Sequence, residues 1–164
     1  MLMLSGAPGA GKTTVLTDLR RLLPGVVVID MDDFLATAGE LAGTDLTQTA
    51  AAERWPVYND LCLGFAVAVL RAGHDMLLLS PLMPAEMKSS TEAPLLGHVR
   101  WAVLDCTDTT RRLRLAARLT DAQIEDALSD AAAFRALDLP LLSSDAVTVE
   151  STAQAVAEWA LDAL

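Results

Sequence analysis

Gly6-Ala7-Pro8-Gly9-Ala10-Gly11-Lys12-Thr13 fits the pattern G-x-x-x-x-G-K-[ST] at every fixed position. The glycines let the backbone curl so that successive N–H groups point inward at phosphate oxygens. A helix starting at this point adds the positive end of its dipole. In this pattern Lys12 supplies a mobile positive charge to the outer phosphates, and Thr13, followed by Thr14, supplies a hydroxyl to Mg²⁺. The flanking sequence agrees. Met1 to Leu4 is a short apolar run that reads as a buried strand, and Val15, Leu16, Leu19, Leu22 and Leu23 then recur at helical spacing until Pro24-Gly25 stops them.

Working outward, Val26 to Ile29 is apolar, mostly β-branched and ends at Asp30, which predicts a second buried strand. Pro56 to Ala72 reads as a helix stopped by Gly73, Met76 to Leu79 as a third strand, and Pro84 to Leu96 as loop with a short helix. Val99 to Leu104 gives a fourth strand. Thr107 or Asp108 caps a helix through Leu119, and Thr120 with Gln123 opens the next through a capping box. Val147 to Val149 is expected as a short last strand, with Ser151 and Gln154 boxing the final helix. Short, wholly apolar strands alternating with helices predict an α/β fold: a parallel five-stranded sheet with helices on both faces, in one domain spanning 1–164.

The 164 residues are 52% hydrophobic but only 4% aromatic, so the core is built mainly from Leu, Val and Ala. The longest clean apolar stretch, Leu61 to Leu70, is half the roughly 20 residues of a membrane span. No basic segment precedes Met1 to Leu4 as it would in a signal peptide. A cytoplasmic protein without membrane contact is the expectation. The net charge of −10 argues against an extended nucleic-acid surface. Cys62 and Cys106 are far apart, in apolar surroundings, and read as buried thiols. His74 and His98 have no partner at ligand spacing, and Trp101 and Trp159 read as packing residues.

Asp30, Asp32 and Asp33 stand at the C-terminal end of the second strand, the edge of a parallel sheet where ligands sit. A carboxylate there can take a proton from an attacking hydroxyl or hold a magnesium water; capping of a following helix is the plainer alternative. Arg111, Arg114 and Arg118 fall at i, i+3 and i+7 on one helical face. Such arginines can stack on a base or neutralise a moving phosphoryl group, or simply be solvated. Thr37 to Thr49 is the most loop-like stretch. Trp55 and Tyr58 could wall an acceptor pocket or pack internally, and Glu86, Lys88 and Arg54 are further candidates near the ligand edge.

With these motifs in place, the chain resembles the small P-loop kinases: gluconate kinase, shikimate kinase, chloramphenicol phosphotransferase, the nucleoside monophosphate kinases and the kinase domain of polynucleotide 5′-kinase. GAPGAGKTT, the acids of Ile29-Asp30-Met31-Asp32-Asp33-Phe34 and the R-x-x-x-R of Arg114 and Arg118 carry the resemblance. It implies ATP and Mg²⁺ as cofactors, with Gly6, Ala7, Pro8, Gly9, Ala10, Gly11, Lys12, Thr13 and Thr14 around the phosphates. Asp32 would be the base, Arg114 would lie against adenine, and Arg118 would reach the phosphates. Lys12, Asp32 and Arg118 are then the catalytic set.

The chain departs from the family where an aspartate often ends the third strand. Ser80 stands there, so Thr13 with Asp30, or Ser80 itself, would serve the metal. Leu35 replaces a phosphate-binding arginine of polynucleotide kinase, and the lid is short, with Arg135 as its only later arginine. The expected function is transfer of a γ-phosphoryl group to a hydroxyl of a small-molecule acceptor. A nucleoside or nucleotide acceptor is an alternative, as is an ATP-binding switch or assembly factor with slow hydrolysis. A GTP switch is disfavoured because no Asn/Thr-Lys-x-Asp motif is present.

Overall fold

A computed structural model of the protein describes residues 1–43, 53–145 and 148–164. Its strands are β1 (Leu2–Ser5), β2 (Val26–Asp30), β3 (Asp75–Ser80), β4 (Arg100–Asp105) and β5 (Leu141–Ser143). They form a parallel five-stranded sheet in the order β2-β3-β1-β4-β5. The helices are α1 (Lys12–Leu22), α2 (Leu35–Ala42), α3 (Trp55–Arg71), α4 (Pro84–Ser89), α5 (Asp108–Leu115), α6 (Asp121–Arg135) and α7 (Val149–Ala163). A 3₁₀ turn, Met31–Phe34, joins β2 to α2.

Alternation along the strands divides the core into two layers. Leu2, Leu4, Leu77, Leu79, Ala102 and Leu104 point to one face and pack with Val15, Leu16 and Leu19 of α1 and Ala153, Val156 and Ala160 of α7. Met3, Met76 and Leu78 point to the other and pack with Tyr58, Cys62, Leu63 and Ala66 of α3. Both faces being covered, the central strands are apolar between their ends, at Leu2 to Leu4, Met76 to Leu79 and Trp101 to Leu104, which is why they read as unbroken runs. Trp101 and Trp159 are half-buried against these two layers.

Several expectations are corrected at the edges. The last strand is Leu141–Ser143, and Val149 belongs to α7 rather than to a strand; residues 146 and 147 lie outside the described residues. Thr148, not Ser151, caps α7: its hydroxyl accepts from the Ser151 N–H at 3.2 Å. The helix expected through Leu119 stops at Leu115. The first part of the loop-like 37–49 stretch is helical, in α2, and 44–52 lie outside the described residues. The capping box of Thr120 and Gln123 is present as expected.

Candidate functional site

β1 carries the chain up through the middle of the sheet, and the glycine-rich loop turns over its end into α1. Gly6 is required by close approach: a Cβ there would stand 2.3 Å from the Leu104 carbonyl oxygen on neighbouring β4. Gly11 caps α1 at φ 98°, a left-handed conformation that side chains other than glycine resist. These two constraints bend residues 6–13 into a concave ring at the N-terminus of α1.

Along one side of the ring runs a cleft of about 540 Å³. Pro8 to Val15 line it, together with Asp32, Arg114, Arg118, Ser144, Val149 and Thr152. The structure thus brings the loop, one acid of the cluster and two of the three arginines to a single space. Asp33 turns aside to pair with Arg20 at 3.2 Å on the surface.

Lys12 is buried, and its ammonium donates to the Gly6 carbonyl within the same loop. Burial lowers its pKa, while the charges of Asp30 and Asp32 pull the other way. Thr13 donates its hydroxyl to Asp30 Oδ2 at 2.8 Å, and Asp30 Oδ1 accepts from the Asp32 N–H at 3.1 Å. Asp30 therefore ties the start of α1 to the turn after β2, although β3 lies between β1 and β2 in the sheet. Ser80, at the end of β3, is fully buried, and its hydroxyl accepts from the Leu82 N–H at 3.0 Å. Its oxygen is occupied in shaping the turn after β3.

Asp32 opens onto the cleft. Crowding by the surrounding protein raises its carboxyl pKa, the negative charge of Asp30 adds to this, and Lys12 opposes it. Beneath it, the Tyr58 hydroxyl donates to the Met31 carbonyl, fixing the turn that presents Asp32. Tyr58 is a core residue: it is buried, meets Trp55 edge-on at 5.6 Å, and burial raises its phenol pKa. Burial likewise lifts the Cys62 thiol to about 11, as expected of an inert core cysteine.

The arginines do not act as one stripe. Arg111 is fully buried and bonds to Asp105 and to the carbonyls of Ala7 and Pro8. Arg114 reaches the cleft and donates to the carbonyls of Gly9 (3.1 Å) and Ser144 (2.9 Å) and to the Ser144 hydroxyl (2.9 Å). Arg118 lies beyond the end of α5, in the short link to α6, and its side chain is exposed at the cleft. Arg135 is no lid residue: it pairs with Asp105 at 2.6 Å and Asp108 at 2.8 Å.

Sequence reasoning missed Asp105, Ser144 and Thr152. Asp105 and Ser144 both sit just where a strand ends at the ligand edge, the same signal that singled out Asp30. Among the described residues no cluster of three His, Cys, Asp or Glu groups could hold a metal unaided. The Thr13–Asp30 pair instead offers hard oxygen donors beside the loop, which fits Mg²⁺ completed by phosphate and water. Among the described residues no helix is long and apolar enough to cross a membrane.

A family model described as an AAA domain matches residues 1–138. No curated protein sequence gives a match. Similar solved structures include a sugar kinase from Janibacter sp. HTCC2649 (20% identity, TM-score 0.65, covering 98% of this chain and 93% of that one). A shikimate kinase from Acinetobacter baumannii, in complex with shikimate, has 14% identity and a TM-score of 0.68 over 99% and 93% of the two chains. The Deinococcus radiodurans tunicamycin resistance protein has 16% identity and a TM-score of 0.67 over 97% and 94%. At these identities the likeness is one of fold.

Proposed function

The chain belongs to the AAA domain family, and on that premise we propose that it is a kinase that transfers the γ-phosphoryl group of Mg·ATP to a hydroxyl of a small molecule. The observation that carries this reading is the meeting of Lys12, the loop and Asp32 across one cleft, with Thr13 and Asp30 joined beside them. A loop alone would serve any nucleotide-binding protein. A carboxyl with a raised pKa facing the loop adds the means to accept a proton from an attacking hydroxyl. That fold neighbours include a sugar kinase and a shikimate kinase supports a small hydroxylated acceptor.

In this mechanism the loop amides and the N-terminus of α1 hold the phosphates in place. Lys12 leaves the Gly6 carbonyl and follows the charge of the outer phosphates. Thr13 and Asp30 would hold Mg²⁺, which when bound neutralises phosphate charge and fixes the tail. Asp32 orients the acceptor hydroxyl and takes its proton as the O–P bond forms and the bridging O–P bond to the departing diphosphate breaks. Arg118, exposed at the cleft, balances charge on the group in transit.

The test is ADP release from Mg·ATP with pooled sugars, nucleosides, nucleotides and aminoglycosides. A rise with one pool is expected, and no rise with any pool would remove the kinase reading. With the acceptor in hand, Asp32→Asn should still bind ATP while transfer falls on the order of a hundredfold or more. Retained transfer would remove Asp32 as the base. The same substitution has a stability signature of definite sign. A carboxyl whose folded pKa is raised favours the native state when protonated, so its ionisation costs stability as pH rises from about 4 through the folded pKa. Asp32→Asn should therefore melt slightly higher than wild type near neutral pH and not below about pH 4. The gain is small because the carboxyl is exposed to the cleft.

A further inference from the structure

A guanidinium with no exposed surface is expensive to bury unless its charge and donors are met. In Arg111, Nη2 donates to Asp105 Oδ1 and Nη1 to the carbonyls of Pro8 and Ala7, while Nε has no partner among the described residues. An ion pair with Asp105 would account for one end of this fork. It does not account for the other end, which goes to the loop. Asp105 is moreover already held by Arg135 through its second oxygen.

The geometry of the peptide unit gives that second end a consequence. In a planar trans peptide the C=O and the following N–H point in opposite directions. The Pro8 carbonyl turned down onto Arg111 therefore turns the Gly9 N–H away from Arg111, toward the cleft that Pro8, Gly9 and Ala10 line. Gly9 leaves room for this arrangement, since a Cβ there would come within 3.2 Å of Arg111 Cγ. The charge itself lies behind the loop, beside Asp105 and within reach of Asp130, in a protein of net charge −10. It is felt there: burial chiefly lowers the pKa of Lys12, and the Arg111 charge adds to the lowering.

We propose that Arg111 is a positioning residue for the phosphate loop, pinning the Ala7 and Pro8 carbonyls from beneath so that the Gly9 N–H faces the phosphates over a fixed positive charge. Arg114 reaches the loop from the cleft side, whereas Arg111 does so from within the core and touches no ligand. The inference rests on the nucleotide reading above.

The experiment is calorimetric titration of Mg·ATP into wild type, Arg111→Met and Arg135→Met, with thermal melting of each protein alone. Both variants remove one arm of Asp105, but only Arg111→Met frees the loop. Arg111→Met is expected to weaken ATP binding about tenfold or more, as loss of charge-assisted bonds to the loop implies, and Arg135→Met by less than about twofold. Both should melt lower than wild type. ATP binding by Arg111→Met within about twofold of wild type, or equal weakening in the two variants, would overturn the proposal and leave the nucleotide reading intact. Wild type that fails to bind Mg·ATP would instead overturn the nucleotide reading, and the proposal with it. Should Arg111→Met not fold, Arg111→Lys carries the same comparison. It keeps a charge beside Asp105, but one ammonium cannot replace both guanidinium arms, one on Asp105 and one on the loop carbonyls, so weakening of about fivefold is expected and parity with wild type would overturn the proposal.

Discussion

The phosphate loop and helix α3 are built on different principles. At the loop the polar groups are tied to one another: Lys12 to Gly6, Thr13 to Asp30, Ser144 to Ala10, Arg111 to Ala7 and Pro8. α3, by contrast, packs one face on the sheet and turns Val57 and Leu61 to the surface. There the order comes from core packing, Tyr58 beneath the turn and Phe34 against Phe65 at 5.5 Å, rather than from a polar network. A phosphate is the same in every substrate and can be met by a preformed ring of donors. A packed helix whose outer residues carry little stability is instead free to change in sequence.

The contrast can be broken or sharpened by substitution. Lys12→Ala should lower phosphoryl transfer on the order of a thousandfold, because the moving phosphate requires the ammonium. Transfer within tenfold of wild type would mean that the ring grips without it. Gly6→Ala places a methyl against the Leu104 carbonyl, and denaturant unfolding should show a loss of about 2 kcal/mol or more. An unchanged midpoint would show that the ring is less tightly set than the β1–β4 spacing implies. Ser144→Ala removes the hydroxyl that donates to Ala10 at 2.7 Å and accepts from Arg114, so the KM for ATP should rise about fivefold, equivalent to about 1 kcal/mol. On the other side of the comparison, Leu61→Ser should move stability by no more than about 0.5 kcal/mol. A larger loss would show that this face of α3 is covered in the working molecule.

What could be read from the chain follows the same division. The loop, the acids after β2 and the central strands were legible because each is local. A glycine pattern, a run of β-branched residues ending in Asp, and apolar positions buried on both faces all leave their mark within a few residues. The last strand was not legible. Leu141–Ser143 is only three residues long, follows Pro140 and leaves Leu141 exposed, whereas the β-branched Val147-Thr148-Val149 imitates a strand. In the fold Thr148 is a helix cap and Val149 the first helical residue. The arginines misled for a related reason. Spacing of i, i+3 and i+7 places three residues on one face only while the helix lasts, and α5 ends at Leu115. Asp105 lies close before Arg111 in the chain, but the carbonyls that complete its burial come from the loop about a hundred residues earlier, where no local pattern points to them.

That separation bears on the order in which the protein takes shape. The phosphate loop is near the start of the chain, but the carbonyl behind Gly6 belongs to β4, and the groups that hold Ala7, Pro8 and Ala10 arrive with α5 and the segment after β5. Contacts of such long range form late, since the intervening chain must first be brought together. A ribosome-bound fragment ending before β4 would already contain every residue of the glycine-rich motif and still lack the surface against which the motif is moulded. The part of the sequence that is made first and read most easily is thus among the last to become a site.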